Sequence, residues 1–405
     1  MNIAIINIYF GEERGGAAIS TKLLVDELRK EQNVYIITSV QEKVDYNLIQ
    51  LSFFKHFSPK VLRLNSKIIY ARLSNEIETI LKEIRPDIAH IQEFELMIPA
   101  IIAASRLNIP TVVTVRDHRF VCNLPCCESK GILNFYCGRL QYLKCLMKMS
   151  KKEFGFGLPG IFIWPLIRNK TKTIRSYLKK ADSVIAISDF VRNNLIKIGI
   201  DETKISTIHN PAPDWKDKRV KKVEEKGKII IFAPGRLEDY KGFHILIRAI
   251  AEVVQAKKDV KLIIAGNGTY ENELKKLTRE LNLDNNVEFA GTVPFDKIKE
   301  LYFKSDIVVF PSIWPESFGR VSIEAMAAGK PVIASNIGGI PEVVTKDVGI
   351  LVKPNDVDEL TKAILKLVNN PKLRKSMGAK GSKYVKRFNV NDYCKKIMKL
   401  YETLL

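Results

Sequence analysis

The chain alternates short apolar segments with longer amphipathic segments, and it completes this alternation twice. In the first half, strands are predicted at 2–8, 33–38, 88–91, 111–115, 183–187 and 205–208, and helices at 17–30, 67–84, 97–106, 171–180 and 189–197. In the second half, strands are predicted at 228–233, 260–265, 286–289, 306–310, 331–334 and 349–352, and helices at 242–256, 271–282, 295–303, 319–328, 356–368 and 371–385. Strands and helices that alternate through short connections predict parallel sheets with helices on both faces.

A linker is predicted at 211–227, because this stretch combines prolines with many charges and little apolar content. The chain of 405 residues is long enough for two domains. We therefore predict an α/β protein with two doubly wound Rossmann-like domains, 1–210 and 228–387, facing a cleft. The final amphipathic helix, within 388–405, is expected to pack back on the N-terminal domain. Ligands are expected at the carboxyl ends of the strands.

The overall composition is that of a soluble globular protein, with 46% hydrophobic and 27% charged residues. No basic segment precedes the first predicted strand, as it would in a signal peptide. No apolar run reaches the length needed to span a bilayer. These features lead us to expect a cytoplasmic location.

Positive charge is concentrated between residues 130 and 180. The whole chain carries a formal charge of +20, and this block has twelve Lys or Arg against one acidic residue, Glu153. It encloses an apolar and aromatic stretch, 154–167, a combination suited to an anionic membrane surface. A plain solvated basic face and binding of a polyanion such as nucleic acid are the alternatives, but no nucleic-acid-binding motif accompanies the block. We favour peripheral association with the inner face of the cell membrane and expect no nucleic acid as partner.

Five of the six cysteines fall in one window. They are Cys122, Cys126, Cys127, Cys137 and Cys145, whereas Cys394 stands alone. A cytosolic location argues against structural disulfides. The spacings are irregular and contain no C-x-x-C pair, so reduced cysteines in a loop are favoured over a metal site, which stays the alternative.

The segment Gly235–Gly242 follows the first strand of the second half and has the properties of a diphosphate site. Gly235 permits a close approach of the backbone, Arg236 and Lys241 supply two cations, and Gly242 opens the next helix. A guanidinium, an ammonium and a helix N-terminus together suit a diphosphate. Two surface cations near a turn would be the simpler interpretation of this segment alone.

The segment 311–331 follows a buried-strand pattern and contains two carboxylates, Glu316 in the loop and Glu324 in the helix predicted after it. The junction between a parallel strand and a helix holds anionic ligands well. Carboxylates beside such a site suit the hydroxyl groups of a sugar and a ribose attached to the anion. This pair therefore predicts a ligand that is both anionic and polyhydroxylated.

Other short motifs carry less information. Gly15 and Gly16 lie in the turn after the first strand and are either a phosphate-approaching loop or an ordinary tight turn. Gly266 ends another strand, but Glu271 stands where a dinucleotide fingerprint requires its third glycine, which counts against a nicotinamide or flavin enzyme. Asp356 and Asp358 are explained by helix capping rather than by a metal.

These motifs together resemble a known family. The E-x7-E pair Glu316–Glu324, the segment Gly235–Gly242 and the segments 208–211, 338–342 and 186–189 resemble the retaining glycosyltransferases of family 4, which have the GT-B fold. The resemblance covers most of the chain and is strongest over 181–352. It implies a hexosyltransferase or related glycosyltransferase that needs no metal or other cofactor, because protein cations take the charge of the departing diphosphate.

The resemblance also implies roles for individual residues. Arg236 and Lys241 would bind the diphosphate of a nucleotide-sugar donor, Glu316 the sugar hydroxyls and Glu324 the ribose. The remaining donor-binding residues would be Gly235, Gly266, Ser317, Phe318, Gly319 and Arg320. The first domain, with the Gly15–Gly16 loop, would bind the acceptor, which we expect to be lipid-linked or a saccharide of a cell-surface glycan. Glu316, Arg236 and Lys241 would carry the catalysis.

One position departs from the family pattern. Many relatives have a His-Asp pair at the end of the strand that corresponds to 111–115, whereas this chain reads Arg116-Asp117-His118. A guanidinium and a neutral imidazole cannot do the same job. Either His118 takes the catalytic role, or Arg116 binds an anionic group of the acceptor or donor.

Two alternatives to a glycosyltransferase stay open at the level of the sequence. A sugar-nucleotide epimerase or a phosphorylase can use the same two-domain fold. A non-catalytic protein that binds polyanions or membranes belongs to a different class, and the set Arg236, Lys241, Glu316 and Glu324 argues against it. Dependence on a donor and an acceptor distinguishes the three.

Overall fold

A computed structural model describes residues 1–11, 15–39, 46–63, 66–121, 145, 169–215 and 227–405. The described part of the chain divides into two compact units. The first contains the residues up to Pro211 together with Val390–Leu405, and the second contains Ala212–Asn389. The apolar stretch 154–167 and the cysteines other than Cys145 and Cys394 lie outside the described residues.

The first unit contains one seven-stranded sheet. Its strands are β1 (Asn2–Ile6), β2 (Asn33–Thr38), β3 (Asn47–Gln50), β4 (Ile88–Ile91), β5 (Thr111–Val115), β6 (Ser183–Ala186) and β7 (Ile205–Thr207). Its helices are α1 (Gly16–Leu28), α2 (Lys67–Ile84), α3 (Phe94–Arg106), α4 (Lys170–Lys180), α5 (Asp189–Lys197) and the C-terminal helix, Val390–Glu402, described below as α13. The strand order is β3-β2-β1-β4-β5-β6-β7 and every pairing is parallel.

The C-terminal helix α13 is part of the core of the first unit. Its residues Cys394, Ile397 and Tyr401 are buried in one cluster with α1 and with strand residues such as Ile5 and Ile88. The apolar residues of α13 recur at helical spacing, so one face of the helix is buried and the other is charged. Burial of this face keeps the last residues of the chain with the first unit.

The second unit contains a six-stranded parallel sheet in the order β10-β9-β8-β11-β12-β13. Its strands are β8 (Ile229–Pro234), β9 (Val260–Ala265), β10 (Val287–Gly291), β11 (Ile307–Phe310), β12 (Val332–Ser335) and β13 (Gly349–Val352). Its helices are α6 (Phe243–Ala256), α7 (Glu271–Glu280), α8 (Phe295–Lys304), α9 (Arg320–Ala327), α10 (Ile340–Val343), α11 (Val357–Val368) and α12 (Pro371–Tyr384).

Alternate residues of β8 face opposite layers of helices in this unit. Ile231 and Ala233 belong to a core that includes residues of α6, α7 and α11. Phe232 points to the other face, where its ring meets the buried ring of Tyr302 on α8 at 5.0 Å between centroids. Strands buried on both faces are apolar throughout, which explains why the strand pattern is so clear in the sequence.

The prediction of an α/β fold with two doubly wound parallel sheets is confirmed, and each predicted strand is present. Strand β3 was not predicted, because it is a short, partly exposed edge strand with polar residues at both ends. The described residues at the start of the predicted linker, 212–215, belong to the second unit. Ala212 donates a backbone hydrogen bond to Phe388, and the Trp215 ring lies 5.2 Å from that of Tyr302, so this part packs within the second unit.

Among the helices of the described ranges, we find none that is both long enough and apolar enough to traverse a bilayer.

Candidate functional site

The carboxyl ends of β8 and β11 form the topological switch point of the second sheet. These two strands are neighbours, and the chain leaves β8 toward β9 on one side before it crosses to β11 on the other. In open α/β sheets, ligands bind at such a point, where the loops diverge. The loops concerned contain the segment Gly235–Gly242 after β8 and the residues 311–319 after β11.

The two loops touch each other through their backbones. Ile313 N–H donates to the Tyr240 carbonyl at 3.0 Å. Gly242 has φ of +73°, and a Cβ at this position would lie 2.0 Å from the Pro311 carbonyl oxygen. Glycine is therefore needed at 242 both for the left-handed conformation and for the close contact.

Lys241 and Glu316 meet at this contact. Lys241 Nζ donates to Glu316 Oε1 at 2.6 Å, and the Ser312 hydroxyl donates to the same oxygen at 2.7 Å. Both charged side chains are only 15% exposed. Lys241 Nζ also lies 5.8 Å from the centroid of the Phe310 ring, within the range of a cation–π contact. The ammonium and the carboxylate are thus held on the rigid end of the sheet.

The backbone of Glu316 is held from a third loop. Gly339 N–H donates to the Glu316 carbonyl at 2.7 Å. Gly338 has φ of +64°, and a Cβ on it would lie 2.3 Å from the Glu316 carbonyl oxygen. Since a side chain at 338 would collide with the backbone it supports, the Gly338–Gly339 pair serves to place Glu316.

Glu324 lies in helix α9 and is 8% exposed. The Tyr302 hydroxyl donates to its Oε2 at 2.7 Å, and Arg320 Nε forms an ion pair with its Oε1 at 2.8 Å. Burial, together with the adjacent Glu324 carboxylate, raises the pKa of Tyr302 well above its ordinary value, so the phenol stays a proton donor. Each oxygen of this buried carboxylate consequently has a partner.

The turn that enters α9 presents backbone N–H groups. Gly319 caps the helix with φ of +91°, no side chain caps it, and its first turn has no acidic residue. Phe318 is buried against the Phe388 ring, with 5.9 Å between centroids, which anchors this turn. A helix N-terminus of this kind, beside Ser317 and Arg320, is suited to a phosphate or a sugar hydroxyl.

Gly235 and Gly266 bring the ends of β8 and β9 together. Gly266 has φ of +137°, and a Cβ on it would lie 1.9 Å from the Gly235 carbonyl oxygen. Arg236 follows this contact and is exposed. Within the described ranges its side chain makes no hydrogen bond or ion pair, in contrast to Lys241. The two cations of the predicted diphosphate site thus differ in how firmly they are held.

The first sheet has its own switch point, between β1 and β4. Gly15, with φ of +93°, caps α1, and both Gly15 and Gly16 are exposed. No side chain in the described ranges caps this helix. Asn7, directly after β1, is fully buried, and neither polar atom of its amide has a hydrogen-bond partner among the described residues. Asn7 was missed at the level of the sequence, because a lone Asn after a strand has no distinguishing pattern.

Arg116 and His118 have different surroundings at the end of β5. Arg116 Nη2 donates to Gln92 Oε1 at 2.6 Å, and its Nη1 donates to Asn210 Oδ1. His118 is 5% exposed, and its ring lies edge-on to Phe190 with 5.5 Å between centroids. At this strand end, hydrogen bonds to Gln92 and Asn210 thus fix the half-buried Arg116 side chain, and the His118 ring packs against aromatic rings.

Beside Arg116 lies a group of charged side chains that sequence patterns did not reveal. Arg119 pairs with Glu95 and, through Nη2 at 2.6 Å, with Asp117. Burial and the neighbouring Glu95 carboxylate raise the pKa of Glu93 to about 8. Burial alone would raise the pKa of Asp117, but the Arg119 guanidinium holds it below its ordinary value. Carboxyl groups with such displaced pKa values are frequent at functional sites.

The structure thus brings the predicted site residues together in two places. In the second unit, Lys241 joins Glu316 and Arg320 joins Glu324, whereas Gly15, Gly16, Arg116 and His118 belong to the first unit. Over the described residues, no group of three or more His, Cys, Asp or Glu side chains is placed to hold a metal ion. Cys145 and Cys394 are both buried.

Two doubly wound parallel domains, with charged loops at the switch point of the second sheet, are the architecture of the GT-B fold. Comparison with family models agrees: the glycosyl transferases group 1 model matches residues 214–384, and the Glycosyltransferase Family 4 model matches residues 14–214. The chain belongs to this group 1/family 4 lineage of GT-B glycosyltransferases.

Several proteins similar in sequence to this chain are named as glycosyltransferases. The uncharacterized glycosyltransferase MJ1607 of Methanocaldococcus jannaschii is 31% identical over 243 residues, which are 56% of this chain and 62% of that protein. MJ1069 of the same organism is 29% identical over 351 residues, 79% of this chain and 89% of that protein. The GDP-mannose-dependent monoacylated alpha-(1-6)-phosphatidylinositol monomannoside mannosyltransferase of Corynebacterium glutamicum is 35% identical over 162 residues, 38% of this chain and 42% of that protein. The match thus spans about three fifths of the first relative.

Solved structures share the fold across nearly the whole chain. HepE of Anabaena in complex with UDP and glucose aligns with a TM-score of 0.71 at 19% identity, covering 99% of each chain. Sucrose-phosphate synthase of Thermosynechococcus elongatus aligns with a TM-score of 0.73 at 20% identity, covering 100% of this chain and 98% of that one. At these identities the likeness concerns the fold.

Proposed function

We propose that this glycosyltransferase moves a sugar from a nucleoside-diphosphate donor to a lipid-linked or polysaccharide acceptor, with retention of anomeric configuration, in cell-surface glycan synthesis. The observation that carries the proposal is the contact between Lys241 and Glu316, 2.6 Å apart at the switch point of the second sheet. A cation suits the diphosphate and a carboxylate suits sugar hydroxyls, and a nucleotide sugar presents both groups side by side.

The donor would bind at the ends of β8, β9 and β11. Arg236 and Lys241 would hold the diphosphate, with the backbone of Gly235 and Gly266 beside it. The N-terminus of α9, from Ser317 to Arg320, would add N–H donors, and Glu324 would accept from the ribose. The partners of Glu324, Tyr302 and Arg320, keep its carboxylate in place.

The chemistry would be retaining and would need neither a metal nor another cofactor. Protein cations would stabilise the charge that develops on the departing diphosphate, which is electrostatic catalysis by preorganised groups. In a front-face reaction, the acceptor hydroxyl attacks the anomeric carbon while the bond to the diphosphate breaks. The acceptor proton passes to an oxygen of that diphosphate, so the charges balance.

The acceptor would bind to the first unit, near the Gly15–Gly16 turn and Arg116. A guanidinium at the end of β5 suits an anionic acceptor, such as a lipid phosphate. The C. glutamicum relative is named as a phosphatidylinositol monomannoside mannosyltransferase, which supports a lipid acceptor. His118 stays a weaker candidate for the catalytic role in this unit.

Association with an anionic membrane surface, on the inner face of the cell membrane, is part of the proposal. The basic helix α4 belongs to the block 130–180 and is tied to a neighbouring segment, because Lys170 Nζ donates to the Leu62 carbonyl. Near that segment, Phe57 is 44% exposed and Ile68 is 82% exposed. Exposed apolar residues beside a basic helix suit insertion at the level of lipid headgroups.

Calorimetric titration with UDP, GDP, ADP and dTDP, without metal, tests the donor site. We expect one nucleotide to bind the wild type and to lose affinity in Lys241→Ala. Binding of that nucleotide would also name the donor class. If none of the four binds, the proposed donor site is wrong.

Substrate dependence separates the proposal from the other enzymes and from a binding protein. A transferase consumes a nucleotide sugar only when an acceptor is present, apart from slow hydrolysis. An epimerase converts the nucleotide sugar alone, and a plain binder leaves it unchanged. Chromatographic analysis of a donor incubated with and without membrane extract distinguishes these outcomes.

Sedimentation with liposomes tests the membrane proposal. Retention by vesicles that contain anionic phospholipid should fall as salt is raised, since the attraction is screened. Ile68→Ser should weaken retention, whereas Leu405→Ser, which also removes an exposed apolar side chain, should not. Equal binding to neutral vesicles at high salt would contradict the electrostatic part.

A further inference from the structure

A row of hydrogen bonds joins the C-terminal helix to Arg116 within the first unit. The Tyr401 hydroxyl lies 2.5 Å from His90 Nδ1, and His90 Nε2 lies 2.9 Å from Gln92 Nε2. Gln92 Oε1 in turn accepts from Arg116 Nη2 at 2.6 Å. Tyr401 is therefore linked to Arg116 through two intervening side chains, although 285 positions separate them in the chain.

The direction of each hydrogen bond in this row follows from Arg116. A guanidinium only donates, so the oxygen of the Gln92 amide must face Arg116. The amide nitrogen of Gln92 then faces His90 and can only donate, so His90 Nε2 must accept. A neutral imidazole that accepts at Nε2 carries its proton on Nδ1, and that proton is donated to the Tyr401 oxygen.

The surroundings keep this pattern in place. His90, Gln92 and Tyr401 are all fully buried. Burial, with a smaller effect of the Arg116 charge, lowers the pKa of His90 to about 3, so the imidazole stays neutral at physiological pH. The Thr114 hydroxyl lies 2.7 Å from His90 Nε2 and can donate to it as well. If Nε2 carried the proton instead, it would face the NH2 group of Gln92, and two donors cannot form a hydrogen bond. The Gln92 amide would then have to rotate, which would turn its NH2 group toward the Arg116 guanidinium.

Arg116 makes two hydrogen bonds to described residues, one to Gln92 and one to Asn210. They use two of the five N–H groups of the guanidinium, so within the described part of the chain three N–H groups are left for a ligand, of which that on Nε is buried. The side chain is half-buried, at the end of β5, and Gln92 Oε1 also lies 3.4 Å from the hydroxyl of Thr21 in α1. Through Gln92 the guanidinium is thus linked to Thr21 of α1, whose N-terminus at Gly16 is exposed and has no side-chain cap among the described residues. A fixed guanidinium and a helix N-terminus both favour an anion of the phosphate class.

We propose that Tyr401 is a positioning residue for Arg116: through His90 and Gln92 it holds the guanidinium in the orientation that binds a phosphate group of a substrate. This proposal deepens the proposed function and rests on it, because the phosphate group is that of a substrate of the proposed glycosyl transfer. The anion comes either from the acceptor or from the diphosphate of the donor. Tyr401 acts only through Arg116.

A double-mutant cycle tests the coupling, with inorganic pyrophosphate as the probe and calorimetry as the measurement. The cycle is made in a Lys241→Ala background, which weakens the site in the second unit. Tyr401→Phe should weaken pyrophosphate binding about 3- to 10-fold and Arg116→Ala at least 10-fold. In the Arg116→Ala protein, Tyr401→Phe should have no further effect. Tyr393→Phe, at another buried tyrosine of α13, is the matched control and should change affinity less than 2-fold.

Other results of the cycle would overturn the proposal. If Arg116→Ala binds pyrophosphate as tightly as the Lys241→Ala parent, the proposed anion site at Arg116 is wrong. The same conclusion follows if that parent shows no measurable binding. Equal losses from Tyr401→Phe with and without Arg116 would show that the tyrosine acts on the fold alone. Failure of the proposed function is measured separately, by nucleoside-diphosphate binding to the protein with Lys241 intact.

Two further measurements complete the test. Nitrogen-15 NMR of labelled histidine should show His90 as the neutral tautomer protonated on Nδ1. The Nδ1 signal should change in Tyr401→Phe. A proton on Nε2 in the wild type would refute the row of hydrogen bonds.

The second measurement is nucleoside-diphosphate affinity in the protein with Lys241 intact. Arg116→Ala should leave this affinity unchanged if the anion belongs to the acceptor, and lower it if the anion belongs to the donor. Either result supports a phosphate site and assigns its source.

Discussion

Lys241 Nζ donates a hydrogen bond of 2.6 Å to Glu316 Oε1, and the two residues lie 75 positions apart in the chain. Their loops leave neighbouring strands of one sheet, which places a cation and a carboxylate at a single point. The Ser312 hydroxyl, on the same carboxylate oxygen, fixes the geometry further. This relationship connects the parallel sheet to the chemistry proposed for the protein.

The cations of the donor site should contribute to nucleotide binding. Lys241→Ala and Arg236→Ala are each expected to weaken nucleoside-diphosphate binding by about 1.5–3 kcal/mol, the usual size of a charge-assisted contact. Calorimetry measures this change. Lys276→Ala removes a lysine that is 73% exposed on α7 and should leave the affinity unaltered. Undiminished binding in both site variants would refute the assignment.

Glu316 should matter for transfer more than for nucleotide binding. Glu316→Gln keeps an oxygen that can accept from Lys241 but removes the charge next to the sugar. We expect the transfer rate to fall roughly 100-fold or more, while nucleoside-diphosphate affinity changes less than about 3-fold. Glu300→Gln, at a carboxylate 47% exposed on α8, is the control and should retain full activity. A parallel loss of nucleotide affinity would place Glu316 on the diphosphate side instead.

The hydrogen bond from Tyr302 to Glu324 should stabilise the second unit. Tyr302→Phe removes a donor from a buried carboxylate, so the free energy of unfolding should fall by about 1.5–3 kcal/mol. Chemical denaturation measures this loss. In a Glu324→Gln background the cost of the same change should be smaller, because the charge is gone. An equal cost in both backgrounds would mean that ring packing, rather than the hydroxyl, is responsible.

Two glycines with similar backbone conformations should respond differently to alanine. Gly242 has φ of +73° and its added Cβ would lie 2.0 Å from the Pro311 carbonyl, whereas Gly291 has φ of +64° and no atom within 4 Å of an added Cβ. Gly291→Ala should cost about 1–2 kcal/mol from the left-handed backbone alone. Gly242→Ala should cost about 2–5 kcal/mol, since overpacking is added. Denaturation curves of equal midpoint would contradict the tight contact between the two loops.

His90 should make stability depend on acidic pH. Its pKa is about 3 in the folded protein, lowered by burial, and the unfolded value is near 6.5. The folded state therefore binds fewer protons. The contribution of His90 to the free energy of unfolding is complete above about pH 6.5 and is lost as the pH falls toward 3. Between these values the free energy of unfolding falls by about 1.4 kcal/mol per pH unit.

Replacement of His90 tests that dependence. Denaturation at pH 4, 5 and 6 should show a shallower slope in His90→Gln than in the wild type, whatever the overall loss of stability. His56→Gln, which removes an exposed imidazole, should leave the slope as it is. Parallel slopes in wild type and His90→Gln would mean that the imidazole is protonated in the folded state.

Most elements of the fold were predictable because most of the strands have a clear local pattern. Strands such as β8 and β11 are apolar along their whole length, since both faces of a parallel sheet are covered. The edge strand β3 has polar ends and half-buried residues, so its pattern was too weak. The short helix α10 was missed for a related reason, since four residues do not complete a helical repeat.

The sequence by itself determined the α/β class, the two parallel sheets, and the glycines and charged residues at the strand ends, because these depend on local periodicity and local backbone preference. Tertiary structure alone decided which of these residues meet. Lys241 reaches Glu316 while Arg236 stays exposed, and Arg116 is linked to Tyr401 of the C-terminal helix. Such contacts depend on strand order and on the packing of distant segments, which no local pattern in a single sequence encodes.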